Sequence, residues 1–459
     1  MRKIINHITS PVSIAPLATF RLLFGFIMLV SILRFMINGW VYDQYIAPKV
    51  FFPYYGGEWI QPLGETGMYA LFGLMALAAL MIMLGLFYRI FSVLFFLSFT
   101  YAELIDKTNY LNHYYFVSIV AFLLILVPAH RHFSLDILRK PSLKLSEVPA
   151  WTIGIFKCQL GIVYFYAGLA KLNPEWLFEA LPLKIWLPAN QHFPIVGPLL
   201  KYSWVAFAFS WFGAIYDLCI PFFLLYRKTR LYAYAFVILF HISTWLLFPI
   251  GMFPFIMILS TLIFFPASFH EKIISGIISV FKALSIFVRS GSAVSLNKYT
   301  YNRALLYLLG VHFVIQLLLP FRFSLYPGKL FWTEEGYRFS WRVMLMEKAG
   351  YVIFHIEDPE TGRKGEAYAH DYLTPNQEKM MSTQPDMILQ FAHFLKREYQ
   401  LKGIKNPTVK AEAYVTLNGG GSRLFIDPNV NLANEKESFK HKSWILPYEE
   451  NKVLNANNY

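Results

Sequence analysis

The residue in this sequence with the clearest potential for chemistry is Lys171, at the end of an apolar segment. It follows the apolar residues 162–170 and precedes the sequence Leu-Asn-Pro-Glu-Trp at 172–176. An ionisable side chain within hydrocarbon is costly, and a lysine removed from water loses its proton readily and can then act as a base. The alternative is that Lys171 only extends its amine to the membrane interface, as lysines at the ends of spans commonly do.

A second polar group lies where another apolar segment begins, at Asn112 and His113. These residues close the sequence Asp-Lys-Thr-Asn-Tyr-Leu-Asn-His at 106–113. An amide and an imidazole at this place could bind a substrate oxygen or tune a neighbouring amine. The alternative is a polar helix start with Asn112 as the N-cap. A further histidine, His241, lies within an apolar segment, where a binding residue and a hydrogen-bonded core residue are both compatible with the pattern.

The segment that ends at Lys171 carries two patterns with the same period. Gly154, Gly161 and Gly168 recur every seven residues, and such a stripe predicts close packing against another helix. Tyr164 lies one repeat before Lys171 on the neighbouring face. A tightly packed helix faces the bundle, so we expect Lys171 to point into protein and not into lipid.

The composition indicates an integral membrane protein. Hydrophobic residues make up 56% of the chain and charged residues 15%, whereas soluble domains contain roughly 25% charged residues. The net charge of +13 is better explained by basic loops beside apolar segments than by nucleic acid, which is not expected as a partner. No metal-ligand spacing, phosphate loop or serine elbow is present, and no metal is predicted.

About nine apolar segments are candidates for membrane spans. They lie at 17–37, 67–86, 88–105, 113–129, 151–171, 203–226, 231–248, 250–267 and 303–320. The pair 231–248 and 250–267 is joined by a break containing proline and glycine, and could be re-entrant. The basic loops all fall on one side under this count, which predicts a cytoplasmic N-terminus and places Lys171 and the C-terminal region on the outer side.

The composition changes near residue 321, which predicts a transmembrane domain at 1–320 and an extramembrane domain at 321–459. Residues 351–370 predict two strands around a turn, and 384–400 show the periodicity of a helix. Residues 409–417 alternate like a half-buried strand, and a glycine turn at 419–421 precedes a further strand. The predicted fold is a polytopic α-helical membrane bundle of about nine spans, followed by a small extramembrane α+β domain.

Several motifs, taken in order, resemble those of vitamin K-dependent gamma-glutamyl carboxylases. They are Asp-Lys-Thr with Asn-His-Tyr at 106–114, Val-Tyr-Phe-Tyr-Ala-Gly-Leu-Ala-Lys-Leu-Asn-Pro-Glu-Trp at 163–176, Ile-Gly-Met-Phe at 250–253, Tyr-Arg-Phe-Ser-Trp-Arg-Val-Met at 337–344 and Arg-Leu-Phe-Ile-Asp-Pro at 423–428. Each motif alone is modest, but their ordered combination is specific. The animal enzymes have a Lys-Lys pair where this chain has Ala170-Lys171, and a further β-rich portion after the region of residue 448. The resemblance is therefore to a shorter, bacterial-type homologue.

The resemblance implies an enzyme that converts protein glutamate to gamma-carboxyglutamate while reduced vitamin K becomes its epoxide. The implied cofactor is the hydroquinone, with menaquinol as another form, and the co-substrates are dioxygen and carbon dioxide. Lys171 is implied as the base that deprotonates the quinol, with Asn112 and His113 beside the quinone head group. The remaining implied site residues are Tyr164 and His241 for the cofactor, and Trp341 and Arg423 for the protein substrate.

The implied partners are a glutamate-containing protein or peptide, membrane lipid and quinol. The implied location is a bacterial inner membrane, with the C-terminal domain on the outer or periplasmic side. Two alternatives stay open: a quinol oxygenase that does not carboxylate glutamate, and a membrane-anchored binding module without catalysis. Retention of Lys171 together with Asn112 and His113 favours an enzyme, because a scaffold needs none of them.

Overall fold

The computed structural model describes residues 2–283 and 299–449, and its first part is a bundle of apolar helices. The main helices of this region are α1 (Ala15–Ile37), α2 (Gly64–Leu84), α3 (Tyr88–Ile105), α4 (Asn112–Ile125), α5 (Trp151–Ala170), α6 (Ser203–Leu225), α7 (Arg230–Leu247), α8 (Phe253–Thr261), α9 (Ala267–Ala283) and α10 (Arg303–Leu318). Short helical segments connect them: Arg2–Thr9, Trp40–Tyr45, Lys107–Asn109, Leu135–Arg139, Pro141–Leu143, Pro174–Phe178, Leu183–Trp186, Pro188–Asn190, Gly197–Leu199, Leu262–Phe264 and Leu319–Leu325. Strand β1 (Pro11–Ser13) pairs with β2 (Glu147–Pro149).

The helices confirm a polytopic membrane bundle. Among the described residues, seven helices are long and apolar enough to cross a membrane, or eight if the bent pair Phe253–Phe264 and Ala267–Val280 forms one span. The predicted span at 113–129 corresponds to α4, which has 14 residues and is about 21 Å long, against a hydrocarbon core of about 30 Å. The predicted break between α7 and α8 is present, since residues 248–252 are not helical.

The first two spans are joined by an intramembrane arginine. The Arg21 guanidinium donates hydrogen bonds to the carbonyl oxygens of Ile82 (2.5 Å), Met83 (2.7 Å) and Phe133 (2.5 Å). Carbonyl groups at the end of a helix have no partner within the helix, and hydrocarbon offers none. Arg21 therefore supplies these partners and fixes α1 against the end of α2.

The C-terminal region is an α+β unit, as predicted. Strands β3 (Lys348–Glu357), β4 (Lys364–Ala367), β5 (Thr408–Leu417) and β6 (Arg423–Leu424) form an antiparallel sheet in the order β4-β3-β5-β6. Every second residue of β5 is buried, because one face of the sheet packs against helix α12 (Pro385–Leu401). Helix α11 (Pro375–Met381) was not predicted, nor was the short helix Leu330–Thr333. The domain boundary near residue 320 stays a prediction.

Polar side chains join this unit to the connection between α3 and α4. The Gln377 amide donates to Asp106 Oδ2 (2.9 Å), and Lys107 Nζ lies 2.8 Å from Asp386 Oδ2. Arg338 also pairs with Asp386, at 2.7 Å. Burial alone would raise the pKa of Asp386, but Arg338 and Lys107 outweigh it and hold this pKa well below its usual range. The Asp106–Lys107 cluster therefore serves to dock the C-terminal unit.

Candidate functional site

Lys171 lies at the seam between the bundle and the C-terminal unit, immediately after α5. Its side chain is buried, and Nζ donates a hydrogen bond back to the Ala167 carbonyl at 3.2 Å. The amine is thus turned toward the bundle, as expected from the packed face of α5, and does not extend outward to the interface. Neighbouring Ala170 belongs to the apolar core that continues into the C-terminal unit.

The partner of Lys171 is a carboxylate from the next span, Asp217 of α6. Nζ and Asp217 Oδ2 are 2.7 Å apart, and the two side chains are only 7% and 6% exposed. Removing one partner from a buried ion pair leaves an uncompensated charge, at a cost of about 3–5 kcal/mol. The sequence predicted a lone lysine, whereas the structure gives a buried Lys–Asp unit.

Gly168 allows this ion pair to form. A Cβ atom at position 168 would lie 2.6 Å from the backbone nitrogen of Leu218 and 3.0 Å from the carbonyl carbon of Asp217, so α5 and α6 touch backbone to backbone. The predicted glycine stripe is therefore only partly a packing surface. A Cβ at Gly161 would contact Pro221 at 3.9 Å, and one at Gly154 would meet nothing within 4 Å.

The sequence after Lys171 folds back to cover it. Asn173 accepts a hydrogen bond from the Trp176 backbone N–H (3.0 Å) and caps the short helix Pro174–Phe178. The Trp176 indole N–H donates to the Ser210 carbonyl of α6 at 2.8 Å. These bonds place the indole ring 5.4 Å from Lys171 Nζ, where its face stabilises the ammonium.

A second polar pair lies near the first, on α5 and α7. The Tyr164 hydroxyl and His241 Nε2 are 3.0 Å apart and share a hydrogen bond. Thr261 lies 3.4 Å from the same hydroxyl but donates its own hydrogen to the Met257 carbonyl. Within the described chain, His241 Nδ1 is buried without a hydrogen-bond partner. If Tyr164 donates to Nε2, then Nδ1 carries a hydrogen that is free to meet a ligand oxygen.

These groups line one cavity whose walls are otherwise almost entirely apolar. Lys171, Asp217, Tyr164 and His241 supply its main polar atoms. The remaining lining residues are Val163, Ala167, Trp176, Leu183, Phe209, Gly213, Phe240, Thr244, Phe248, Ile250, Phe253, Met257, Val343 and Met344. An apolar cavity with a few convergent polar groups is typical of a site for a small organic ligand.

Asn112 lies outside the cavity lining but contacts the segment that forms one of its walls. It is the first residue of α4 and not its N-cap, which is Leu111. Its side-chain nitrogen donates to the Arg342 carbonyl at 2.8 Å, and its oxygen accepts from the Tyr110 hydroxyl at 3.0 Å. Asn112 thereby anchors the chain immediately before Val343 and Met344, which form part of the cavity wall.

The other predicted site residues lie outside the cavity lining. The His113 ring packs 5.6 Å from the ring of Phe253, a lining residue. Trp341 is buried and stacks on Tyr115 at 4.8 Å. Arg423 donates to the carbonyl oxygens of Gly421 (2.9 Å) and Glu449 (2.9 Å). These placements are those of structural side chains, and the roles inferred for them from the resemblance stay predictions.

Asp217 is the site residue that sequence analysis missed, although a signal was available. It is the single charged residue in α6, and the reasoning that selected Lys171 applies equally to a carboxylate inside a span. A basic and an acidic residue in separate spans also predict an ion pair between them, because each buried charge is costly without a partner.

Two families match this chain. A profile of the HTTM domain matches residues 9–269, and a profile of the vitamin K-dependent gamma-carboxylase lumenal domain matches residues 301–451. No solved structure matches it. The first match contains Lys171, Asp217 and His241, and the second contains Val343 and Met344, so the cavity is built from both. The chain belongs to the HTTM-domain family, and the two matches together agree with the resemblance to the vitamin K-dependent gamma-carboxylase family.

Proposed function

We propose that this protein converts glutamate side chains of a protein or peptide to gamma-carboxyglutamate and couples this reaction to epoxidation of reduced vitamin K. The observation that carries the proposal is the buried Lys171–Asp217 pair in an apolar cavity between membrane helices. Family membership supports the general activity. The pair supplies the one protein-based step that this chemistry needs, which is deprotonation of a quinol.

The cavity suits a quinol better than a polar substrate. Aromatic and aliphatic side chains such as Phe248, Phe253 and Met257 would contact the ring. The free Nδ1 of His241 and the Lys171–Asp217 pair offer hydrogen bonds to ring oxygens. Because the cavity lies between membrane helices, an isoprenoid tail can remain in lipid while the head group is bound.

The Lys171–Asp217 pair can accept a proton as one unit. Before reaction the ammonium and the carboxylate together are neutral. When a hydroxyl group lies beside them, Asp217 Oδ2 accepts its proton while Lys171 stays an ammonium. The pair then carries one positive charge, which stabilises negative charge on the oxygen that lost the proton. A lone lysine could act as the base only after losing its own proton.

The protein also has to exclude water. When bound, reduced vitamin K supplies with dioxygen the strong base that removes the weakly acidic γ-proton of glutamate, and carbon dioxide then forms the new bond. Trp176, Phe248 and Met344 surround the polar groups with apolar surface, which protects the glutamate carbanion from reprotonation by water. Asn112 keeps the Val343–Met344 wall in place through Arg342.

The glutamate substrate would approach from the side of the C-terminal unit. The wall formed by Val343 and Met344 belongs to this unit, and Glu175, one residue before Trp176, accepts a hydrogen bond from Asn418 at 2.5 Å. Following the basic loops, we place this side outside the cytoplasm in a bacterial inner membrane. Protease added to spheroplasts should then cleave residues 330–449, and protection of this region would contradict the orientation.

The test of the proposed reaction follows both products in one tube. Purified protein receives reduced vitamin K, dioxygen, labelled carbon dioxide and a glutamate-containing peptide. We expect equal amounts of quinol epoxide and incorporated label. Epoxide without label on any glutamate peptide would indicate a quinol oxygenase, and the absence of both products would contradict the proposal.

A further inference from the structure

A second cavity lies between α3, α4 and α10 and shares no lining residue with the Lys171 site. Its wall includes Glu103, a carboxyl group two residues before the end of the α3 span. In the described residues, neither a hydrogen bond nor an ion pair reaches this side chain. An intramembrane carboxyl without a partner is costly, so its placement on a cavity wall points to a ligand that pairs with it.

Most of the other polar groups of this cavity have hydrogen-bond partners within the protein. Gln316 donates to the Tyr115 hydroxyl at 2.7 Å, and His312 is hydrogen-bonded to Gln159 at 3.1 Å. The Thr100 hydroxyl donates to Ser118 at 3.3 Å. Glu103 differs from these neighbours because its carboxyl group has no partner in the described residues. It is therefore the acidic group that the cavity offers to a bound molecule.

Four aromatic rings line the same cavity. Phe339 lies at their centre, with ring centroids of Tyr110 and Tyr115 at 5.0 Å and of Tyr54 at 5.6 Å. All four rings line the cavity together with Glu103. Several aromatic rings beside a carboxylate are the arrangement that recognises an ammonium group, through cation–π attraction and charge pairing.

Apolar side chains line the cavity deeper in the span region. They are Phe96, which lies about two turns before Glu103 on α3, and Ile119 and Phe122 of α4. Beside them, Leu97 of α3 and Val311 of α10 are 56% and 59% exposed, as expected for side chains that contact lipid. The cavity thus has polar groups next to the C-terminal unit and apolar side chains within the span region. This arrangement matches the headgroup and acyl chains of a lipid molecule in one leaflet.

We propose that this cavity binds a membrane lipid with an ammonium headgroup. The ammonium pairs with Glu103 among Tyr54, Tyr110 and Tyr115, and an acyl chain lies against Phe96 and Phe122. The combination of a carboxyl group near the end of the span with apolar side chains deeper in it fits a lipid better than a free amine. The site is separate from the proposed carboxylation site, so its test does not depend on activity.

Native mass spectrometry of the full chain tests the proposal. The delipidated protein is mixed with phosphatidylethanolamine or phosphatidylglycerol of identical acyl chains. We expect at least about tenfold preference for the ethanolamine lipid. Glu103→Gln should abolish the preference, whereas Glu65→Gln, which removes an exposed carboxylate at the start of α2, should leave it unchanged. Ser118→Phe, which fills the cavity and keeps the carboxyl, should abolish lipid retention.

Three results would overturn the proposal. They are equal binding of both lipids by the wild-type protein, an ethanolamine preference that survives Glu103→Gln, and lipid retention that survives Ser118→Phe. Thermal unfolding and gel filtration of each variant establish that it is folded. Because the readout is a lipid adduct, a protein without carboxylase activity still gives a decisive result.

Discussion

The close contact at Gly168 leads to a quantitative prediction for Gly168→Ala. The new Cβ would lie 2.6 Å from the Leu218 nitrogen, whereas heavy atoms without a hydrogen bond approach to only about 3.5 Å. Because the obstructing atoms are backbone, α5 and α6 must move apart by about 1 Å. The distance from Lys171 Nζ to Asp217 Oδ2, now 2.7 Å, would then grow to about 3.7 Å, beyond the range of a hydrogen bond.

This displacement should affect catalysis more than folding. Misplacement of a reacting group by about 1 Å can lower a rate about a hundredfold, and an overpacked contact costs typically about 1–3 kcal/mol of stability. We therefore expect kcat for quinol epoxidation to fall by about two orders of magnitude in a protein that still purifies as a folded species. Carboxylation should fall in parallel.

Gly154→Ala is the matched control. It lies on the same helix in the same seven-residue pattern, and its Cβ would meet nothing within 4 Å. The added methyl group should leave the rate unchanged and slightly raise stability, because alanine favours a helix over glycine. If Gly168→Ala retained the wild-type kcat while Gly154→Ala did the same, the packing argument for the ion pair would be refuted.

Other perturbations separate the roles of individual groups. Asp217→Asn should shift the acid limb of the pH–rate profile to higher pH, because the acceptor becomes a lysine amine instead of a carboxylate; an unchanged profile would exclude Asp217 as acceptor. Asn112→Ala should raise KM for the quinol roughly fivefold by loosening the Val343–Met344 wall, since a partly buried hydrogen bond is worth about 1 kcal/mol; a loss in kcat alone would instead indicate direct catalysis. Asp386→Asn should lower stability by about 3 kcal/mol near neutral pH, as seen in thermal unfolding. Because folding lowers the Asp386 pKa, its stabilisation is complete above the unfolded value of about 3.9 and is lost as the pH falls through the folded value; a variant whose deficit stays constant in acid would contradict this linkage.

Local patterns in the sequence predicted most of the fold. Apolar length predicted the long spans, the turn within residues 351–370 predicted β3 and β4, and alternation predicted β5. Each of these patterns is set by residues close in sequence. The C-terminal end of α4 was not predicted, since its apolar residues continue through residue 127 while the helix ends at Ile125. Helix α11 was missed because it is only seven residues long and depends on a capping box at Thr374 and Gln377.

The site was predicted less completely, because it depends on contacts between distant segments. Lys171, Tyr164 and His241 were all predicted for the site, and they do line one cavity. The pairing of Lys171 with Asp217 joins residues 46 positions apart, and no local pattern fixes which faces of α5 and α6 meet. Asn112 was assigned to chemistry, but its side chain binds Arg342, which lies 230 positions away. Sequence spacing predicted several residues of the candidate site, whereas their hydrogen-bond and ion-pair partners could be found only from the structure.

The most direct test compares Lys171→Ala with Lys157→Ala in the coupled assay of quinol epoxide and labelled carbon dioxide. Lys157 is on the same helix, two repeats earlier, and its amine lies over the Phe264 ring at 5.9 Å, outside the cavity lining. We predict that Lys171→Ala loses both products and Lys157→Ala keeps both. Either product formed at the wild-type rate by Lys171→Ala would contradict the central claim that the buried Lys171–Asp217 pair starts the reaction.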